Sequence, residues 1–223
     1  MKRISLMTTA ICAAIWTAPA SATDPDAPAA FNWTGGYVGA SVGYGWGDST
    51  LDFDVINYIV PYDPDGFMGG VHAGYNHQFS NDVVLGVEAD FQLSGMGSSN
   101  VLGISNGVPG GAYRYYSEQK WNAALRARLG YAADRFLPYL AGGLAVAQYE
   151  HGESVNDPFS ATGTYLGWTV GAGLEFAATE NVVLRTEYRY ADFGSQHFVV
   201  PGWFSHVVDL KSQDVRFGIS YRF

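Results

Sequence analysis

The chain has 223 residues, a formal net charge of −9 and a mean hydropathy near zero, with 28 glycines and 15% aromatic residues. No apolar run approaches the roughly 20 residues that a membrane-spanning helix needs, and the acidity disfavours nucleic acid as a partner. Cys12 is the single cysteine, which excludes a disulfide within the chain and leaves no thiol in the segment beyond residue 22.

The first residues have the layout of a secretory signal peptide. Lys2 and Arg3 precede a short apolar run, and Ala20 and Ala22 frame a cleavage site after Ala22. We therefore predict residues 1–22 as a signal peptide, which directs the mature chain out of the cytoplasm. Its removal leaves ten basic residues against twenty-one acidic ones.

Residues 23–32 are rich in Pro, Ala and Asp, which indicates a short periplasmic leader, and we assign residues 33–223 to one folded domain. Within this domain, eight segments alternate between large apolar residues and small or charged ones. A period of two residues is that of a β-strand. The eight predicted strands are 37–46, 69–79, 83–94, 120–131, 136–149, 166–176, 182–190 and 215–223.

The connections between these strands alternate in length. Short turns such as 80–82 and 133–135 alternate with long connections, which are 47–66, 95–116, 150–164 and 194–207. Short periplasmic turns and long extracellular loops are typical of outer-membrane barrels, and an even number of strands leaves both termini in the periplasm.

A soluble lipocalin-like barrel is the alternative, but it would bury its large apolar faces inward. The interior of eight strands admits only the smaller, charged faces. The sequence therefore predicts an all-β fold: an eight-stranded antiparallel transmembrane β-barrel of the outer-membrane type, with its apolar face toward lipid.

Aromatic residues cluster near both ends of the predicted strands, as expected for two girdles at the membrane interfaces. Those near the turn end are Trp33, Phe79, Phe136, Phe176 and Phe223, and those near the loop end are Trp46, Phe67, Trp121, Tyr149 and Trp168.

Strand parity directs twelve charged side chains into the lumen and leaves the lipid-facing stretches uncharged. An interior of this size is just filled by side chains, and unpaired charges there would be costly. We therefore predict a paired network that plugs the lumen; the alternative is a narrow ion path through rearranging pairs. The predicted members are Glu88, Asp90, Lys120, Arg126, Arg128, Glu175, Arg185, Glu187, Arg189, Asp214, Arg216 and Arg222.

Three stretches, FNWTGGYVG (31–39), GWTVGAGLE (167–175) and EYRYADFG (187–194), together with the final Tyr-Arg-Phe, resemble the small porin-like or outer-membrane immunogenic proteins of alphaproteobacteria. The resemblance implies an abundant barrel in the outer membrane, in contact with its lipids. Members are linked to porin-like activity, envelope integrity, host contact or haemin binding. It also implies that Phe223 is the terminal aromatic that barrel-assembly machinery reads.

We predict a structural and surface-interaction role, in which the extracellular loops contact host or surface ligands. The first alternative is a narrow porin for small solutes. The second is a haemin-binding surface receptor, for which the loop histidines His151, His197 and His206 are the candidates.

Catalysis and metal binding have weaker support in the sequence. Ser195 with His197, or Ser205 with His206, lacks a carboxylate fixed by spacing that would orient the histidine. The first long connection contains five aspartates whose spacing is looser than that of a calcium site. We therefore expect no catalytic residue, no cofactor and no metal. The five are Asp48, Asp52, Asp54, Asp63 and Asp65.

Overall fold

The computed structural model describes residues 31–53, 58–62, 64–102, 113–153, 159–198 and 206–223. The predicted signal peptide with Ala20 and Ala22, and residues 23–30, lie outside this part. In the described ranges no helix is long and apolar enough to cross a membrane. The strands are β1 (Gly35–Phe53), β2 (Tyr58–Tyr62), β3 (Asp65–Gln78), β4 (Val83–Ser94), β5 (Gly97–Leu102), β6 (Tyr113–Tyr131), β7 (Phe136–Glu153), β8 (Phe159–Ala177), β9 (Val182–Phe198) and β10 (His206–Arg222).

Eight of these strands close into a barrel. Each pairs antiparallel with its neighbours in the order β1, β3, β4, β6, β7, β8, β9, β10, and β10 returns to β1. The closing ladder runs from Tyr37 opposite Arg222 to Asp52 opposite Val207. The two short strands stand outside this cycle, since β2 pairs with the end of β1 and β5 with the beginning of β6. The predicted eight-stranded antiparallel barrel is confirmed.

The apolar side chains face outward around the barrel. Val42 on β1 is 67% exposed, Leu125 on β6 63%, and Leu140 and Leu144 on β7 60% each. Leu140 and Leu144 share this outward direction although glycine and alanine occupy both faces of β7 and weaken its alternation. An apolar exterior around a charged interior is the inverse of a soluble protein and suits a lipid environment.

Tight turns close one end of the barrel, as predicted. Asp82 and Asp134 adopt the left-handed conformation, with φ of 63° and 53°, which aspartate tolerates in turns. The N–H of Asp82 donates to the carbonyl of Phe79 at 3.0 Å, and the N–H of Phe136 donates to that of Ala133 at 3.0 Å.

The long connections differ from the prediction because much of their length continues as strands. Strands β1, β6 and β8 each have 19 residues, whereas about 9–11 residues suffice to cross a membrane. The loop-end portions therefore extend beyond the lipid-facing belt. Lipid no longer imposes an apolar face on them, and for that reason the sequence lacks the alternation by which strands were predicted.

Two aromatics predicted for the girdles lie inside the barrel. Trp33, at 1% exposure, precedes β1 and so does not follow its parity, and Tyr149, at 2%, has the inward parity of β7. At the turn end the remaining predicted girdle residues are outward, and Phe67 and Trp168 are outward at the loop end. The outward aromatics of the turn end are Phe79, Phe136, Phe176 and Phe223.

Candidate functional site: a closed lumen

Ten of the twelve predicted charges meet in one network at the centre of the lumen. None of the ten is more than 5% exposed, and the five arginines balance the five carboxylates. The arginines are Arg126, Arg128, Arg185, Arg189 and Arg216, and the carboxylates are Glu88, Asp90, Glu175, Glu187 and Asp214.

Arg126 joins opposite walls of the barrel. From β6 its Nη2 lies 2.6 Å from Oε1 of Glu88 on β4, and its Nη1 lies 2.7 Å from Oε1 of Glu187 on β9. In the cyclic strand order, β4 and β9 are four strands apart and therefore face each other. The guanidinium of Arg126 thus crosses the lumen, and these two carboxylates accept charge-assisted hydrogen bonds from it.

Toward the turn end, two more arginines share the carboxylates. Nη2 of Arg128 lies 2.7 Å from Oε1 of Glu175, and Nη2 of Arg185 lies 2.5 Å from Oε2 of Glu88. Tyr37 donates its hydroxyl to Oε2 of Glu88 at 2.7 Å and accepts from Nη1 of Arg128 at 2.5 Å. These bonds hold together the part of the network that lies toward the turn end.

Toward the loop end, Asp214 lies between two arginines. Its Oδ2 lies 2.8 Å from Nε of Arg189, and its Oδ1 lies 2.8 Å from Nε of Arg216. Arg189 also reaches across the lumen to Oδ1 of Asp90 at 3.1 Å and donates to Oδ1 of Asn122 at 2.8 Å. The paired charges therefore occupy the lumen at several successive heights.

Apolar layers close the lumen on both sides of the charges. The layer toward the loop end consists of Ala124, Ala145, Ala147, Tyr149, Tyr165, Ala191, Phe193 and Leu210. The layer toward the turn end consists of Phe31, Trp33, Val84, Ala132, Leu137, Ala177 and Val183. Ion pairs between two apolar layers thus fill the described part of the lumen, an arrangement that disfavours the passage of water and ions because apolar constrictions dewet.

Residues 31–34, which we name the strap, form part of the lower layer. Nε1 of Trp33 donates to the carbonyl of Asp134 at 3.1 Å, and the ring of Phe31 lies 4.5 Å from the guanidinium carbon of Arg222. A cavity of about 10 Å³ next to Trp33 has room for roughly one water molecule. Phe31, predicted near the end of the leader, is thus buried in the barrel mouth, and Asn32 beside it is exposed.

Lys120 lies outside the network, contrary to the prediction. A register shift between Gln119 and Trp121 makes Lys120 an extra residue in β6. Such a bulge exchanges the inward and outward positions of the residues that precede it in the strand. Its Nζ lies at the loop-end rim, 2.6 Å from Glu118 and 3.1 Å from Glu150. Hydrogen bonds with these carboxylates raise the pKa of Lys120, and the bond with Lys120 lowers the pKa of Glu150.

Arg222 is the second exception. It has the inward parity of β10 but lies at the turn end, where it donates to the backbone carbonyl of Asn32 and packs over Phe31. Arg222 therefore fastens the strap instead of joining the central charges. Parity alone did not reveal this, because the strap precedes the first strand.

Two tyrosines, Tyr37 and Tyr139, belong to the network although they were not predicted as members. Tyr139 donates its hydroxyl to Oε2 of Glu187 at 2.6 Å. Tyr37 has the inward parity of its strand, from which its position in the lumen could have been predicted.

Glycine makes room for a neighbouring polar pair, His72 and Ser220. A Cβ on Gly39 would lie 2.5 Å from Nε2 of His72 and 2.6 Å from Oγ of Ser220.

The other candidate groups lie largely outside the described side chains. This holds for the haemin candidates His151, His197 and His206, for Ser195 and Ser205, and for four of the five aspartates of the first connection. Asp65 is described and faces outward, where it accepts a hydrogen bond from Tyr44. In the described part of the chain, no group of three or more His, Cys, Asp or Glu side chains is arranged to hold a metal ion.

A closed antiparallel barrel with an apolar exterior and a charged interior defines an integral outer-membrane protein. The chain matches the family described as "Outer membrane protein beta-barrel domain" over residues 8–223, and it belongs to that family. The outer-membrane location and the predicted family resemblance are confirmed.

Relatives with known names agree with this assignment. The chain is 36% identical over 220 residues to the 31 kDa outer-membrane immunogenic protein of Brucella melitensis, covering 90% of each chain. It is 34% identical over 193 residues to the 22 kDa outer membrane protein of Rhizobium leguminosarum bv. viciae, covering 86% of this chain and 79% of the relative. The outer membrane protein OprG of Pseudomonas aeruginosa shares the fold, with a TM-score of 0.55, 13% identity, and coverage of 86% and 97%.

Proposed function

We propose that this protein is a non-conducting and non-catalytic barrel of the outer membrane, whose role in the envelope is structural and depends on contacts made by its extracellular end. The closed lumen carries this proposal. Arg126 bridges opposite walls through Glu88 and Glu187, and apolar layers lie above and below it. A barrel closed in this way offers partners its lipid-facing belt and its two ends.

The buried polar pair in the lumen supports a non-catalytic role. Nε2 of His72 lies 2.7 Å from Oγ of Ser220, a distance that nucleophilic catalysis would use. The two residues are only 3% and 4% exposed, below the central charges and above the strap. A substrate would have to displace one of these layers to reach Ser220, so we assign the pair to packing of the lumen.

The charge distribution supports a contact role for the extracellular end. Segments 47–66, 95–120, 150–164 and 192–211 together contain eleven acidic and three basic residues, a formal charge of −8 with histidines neutral. The ten central charges of the lumen cancel each other. The excess negative charge therefore belongs to the part of the chain that host or surface ligands would meet, and it favours cationic partners.

Permeation of small solutes separates this proposal from the porin alternative. Liposomes containing the refolded protein are diluted into isotonic arabinose or glycine, and swelling is followed by light scattering. Heat-modifiable gel mobility first verifies that the barrel has formed. We expect swelling no faster than in protein-free liposomes; rapid swelling with either solute would assign the protein to the porin class.

We propose further that barrel-assembly machinery recognises Phe223. Its side chain is 74% exposed at the turn end, and its N–H donates to the carbonyl of Gly36 at 3.0 Å, across the seam between the first and last strands. Deleting Phe223 should reduce the amount of barrel in the outer membrane without slowing signal-peptide removal. Phe79→Ala, at another exposed aromatic of the same end, is the control. Wild-type levels of the deletion variant would contradict the proposal.

A further inference from the structure

The barrel wall splits on one side above the lipid-facing belt. Pairing between β8 and β9 ends at Trp168 opposite Asp192, although the two strands continue to Phe159 and Phe198. Beyond the split, β8 pairs only with β7 and β9 only with β10 among the described residues. Two strand edges therefore face each other without a shared ladder.

On the other side, β2 pairs with β1 and β5 with β6. In the described ranges no ladder joins β2 to β5, although these strands are in contact and β5 also pairs with β3 at Gly97 opposite Asp65. The described strands of the extracellular end thus form two four-stranded ladders. We name β9, β10, β1 and β2 the first flap, β5, β6, β7 and β8 the second flap, and the space between the edges of β8 and β9 the cleft.

Bulges at a similar height mark where both flaps leave the barrel. In the first flap the register shifts between Asp209 and Lys211, opposite Gly194 with its φ of +70°. In the second flap it shifts between Gln119 and Trp121. Bulges bend and twist a strand, so the two flaps diverge where the sequence encodes irregular backbone.

Contacts around three glycines show where the cleft opens. A Cβ on Gly167, at its base, would meet the backbone of Asp192 on β9. A Cβ on Gly194 would meet nothing within 4 Å, and the atoms nearest to a Cβ on Gly163 belong to Tyr165 of its own strand. The strands are therefore in contact at Gly167 and separated above it.

The register identifies the backbone groups of β8 that face the cleft. In an antiparallel ladder, alternate residues bond to opposite neighbours. The N–H of Ala178 donates to the carbonyl of Val182 at 2.9 Å, so even-numbered residues of β8 face β9. Continuing this alternation places the N–H and C=O groups of Thr162, Thr164 and Leu166 along the cleft, where β9 offers them no ladder within the described residues.

We propose that the cleft binds an extended, basic polypeptide segment of a partner protein by β-strand addition to the edge of β8. Backbone groups without a ladder partner among the described strands can be complemented by another extended backbone, and the formal charge of −8 on the extracellular segments selects for lysine and arginine. This inference rests on the proposed surface role and names the chemical class of the partner.

The test measures binding of a fluorescent ten-residue peptide of alternating lysine and valine to the full refolded barrel in phospholipid nanodiscs. We expect saturable binding to the wild type and a loss of affinity of about tenfold or more in Thr164→Pro, since proline removes one N–H donor from the edge. Thr164→Ala is the matched control, because it keeps that N–H, and it should bind within about twofold of the wild type.

A second pair of probes keeps the test decisive even if Thr164→Pro does not fold. The same peptide with every backbone nitrogen methylated keeps its charge but has no N–H on either edge and cannot add as a strand, and a glutamate–valine peptide keeps the strand pattern but reverses the charge. We expect neither to bind. The proposal would be overturned if the methylated peptide bound as well as the lysine–valine peptide, or if the lysine–valine peptide did not bind. It would also be overturned if lipopolysaccharide displaced the lysine–valine peptide equally from Thr164→Pro and Thr164→Ala. A conducting barrel would instead contradict the closed lumen.

Discussion

Arg126 shows how a single buried charge can hold the barrel together. It is 1% exposed and shares its guanidinium between Glu88 and Glu187. Arg126→Met should destabilise the barrel by about 3–5 kcal/mol, because both carboxylates would remain buried without this partner. Lys120→Met removes a rim ion pair and should cost about 1 kcal/mol or less. Urea unfolding in lipid vesicles, followed by tryptophan fluorescence, measures both; equal losses would contradict the account.

The ion pair between Lys120 and Glu150 at the rim should be detectable from the pH at which Glu150 titrates. The hydrogen bond from Lys120 lowers the pKa of Glu150, so the pair contributes stability above the usual glutamate pKa and loses it as the pH falls through the lowered value. In Lys120→Ala the pKa of Glu150 should rise toward its usual range. Side-chain NMR titration in detergent checks this, with Lys211→Ala as the control. An unchanged pKa would show that the pair does not form in solution.

Parity predicted most of the lumen because lipid enforces a strict alternation along each strand. The position of Lys120 was predicted wrongly because no apolar pattern in the sequence marks the bulge beside it. The position of Arg222 was predicted wrongly because its partner is the strap. Interactions between opposite walls, such as Arg189 with Asp90, depend on side-chain reach and barrel diameter. Strand parity therefore identified ten charged members of the network, and strand adjacency predicted neighbouring pairs such as Arg126 with Glu88, but neither predicted the partners across the lumen.

At the scale of elements, the strap closes the turn end with very few residues. Trp33 is 1% exposed and also donates from Nε1 to Asp134. Trp33→Ala should cost about 3–5 kcal/mol, whereas Trp33→Phe keeps most of the packing, loses the hydrogen bond and should cost about 1–3 kcal/mol. The stability of the variants is ranked by the guanidinium chloride concentration at the unfolding midpoint. The folded fraction at each concentration is measured by heat-modifiable gel mobility. Wild-type stability of Trp33→Ala would show that the strap is not part of the folded barrel.

The strands of the two flaps could not be predicted from the sequence, for a physical reason. Above the lipid-facing belt lipid no longer imposes an apolar outer face, so the alternation that identifies β1 up to Trp46 is absent from the sequence of its extension. That segment was therefore predicted as a loop. Gly194 was a usable signal, since glycine in a strand pattern often marks a bulge. The divergence of β8 from β9 depends on pairing between distant segments and required the structure.

For the whole molecule, charge separates into two regions with different roles. The ten central lumen charges are balanced and buried, so they act on the stability and closure of the barrel. The acidic extracellular segments form the surface that we propose meets partners, and among the described residues β8 and β9 share no ladder above Trp168 there. In this proposal one barrel excludes solutes and still interacts with its surroundings.

Planar-bilayer conductance tests the closed lumen most directly. Refolded protein with verified heat-modifiable mobility is inserted, and single-channel current is recorded for the wild type, Arg126→Ala/Arg128→Ala and the rim control Lys120→Ala. We predict silent membranes for the wild type and the control, and discrete steps for the double variant, whose missing guanidiniums leave space and unpaired carboxylates in the lumen. Reproducible conductance steps from the wild-type barrel would contradict the account.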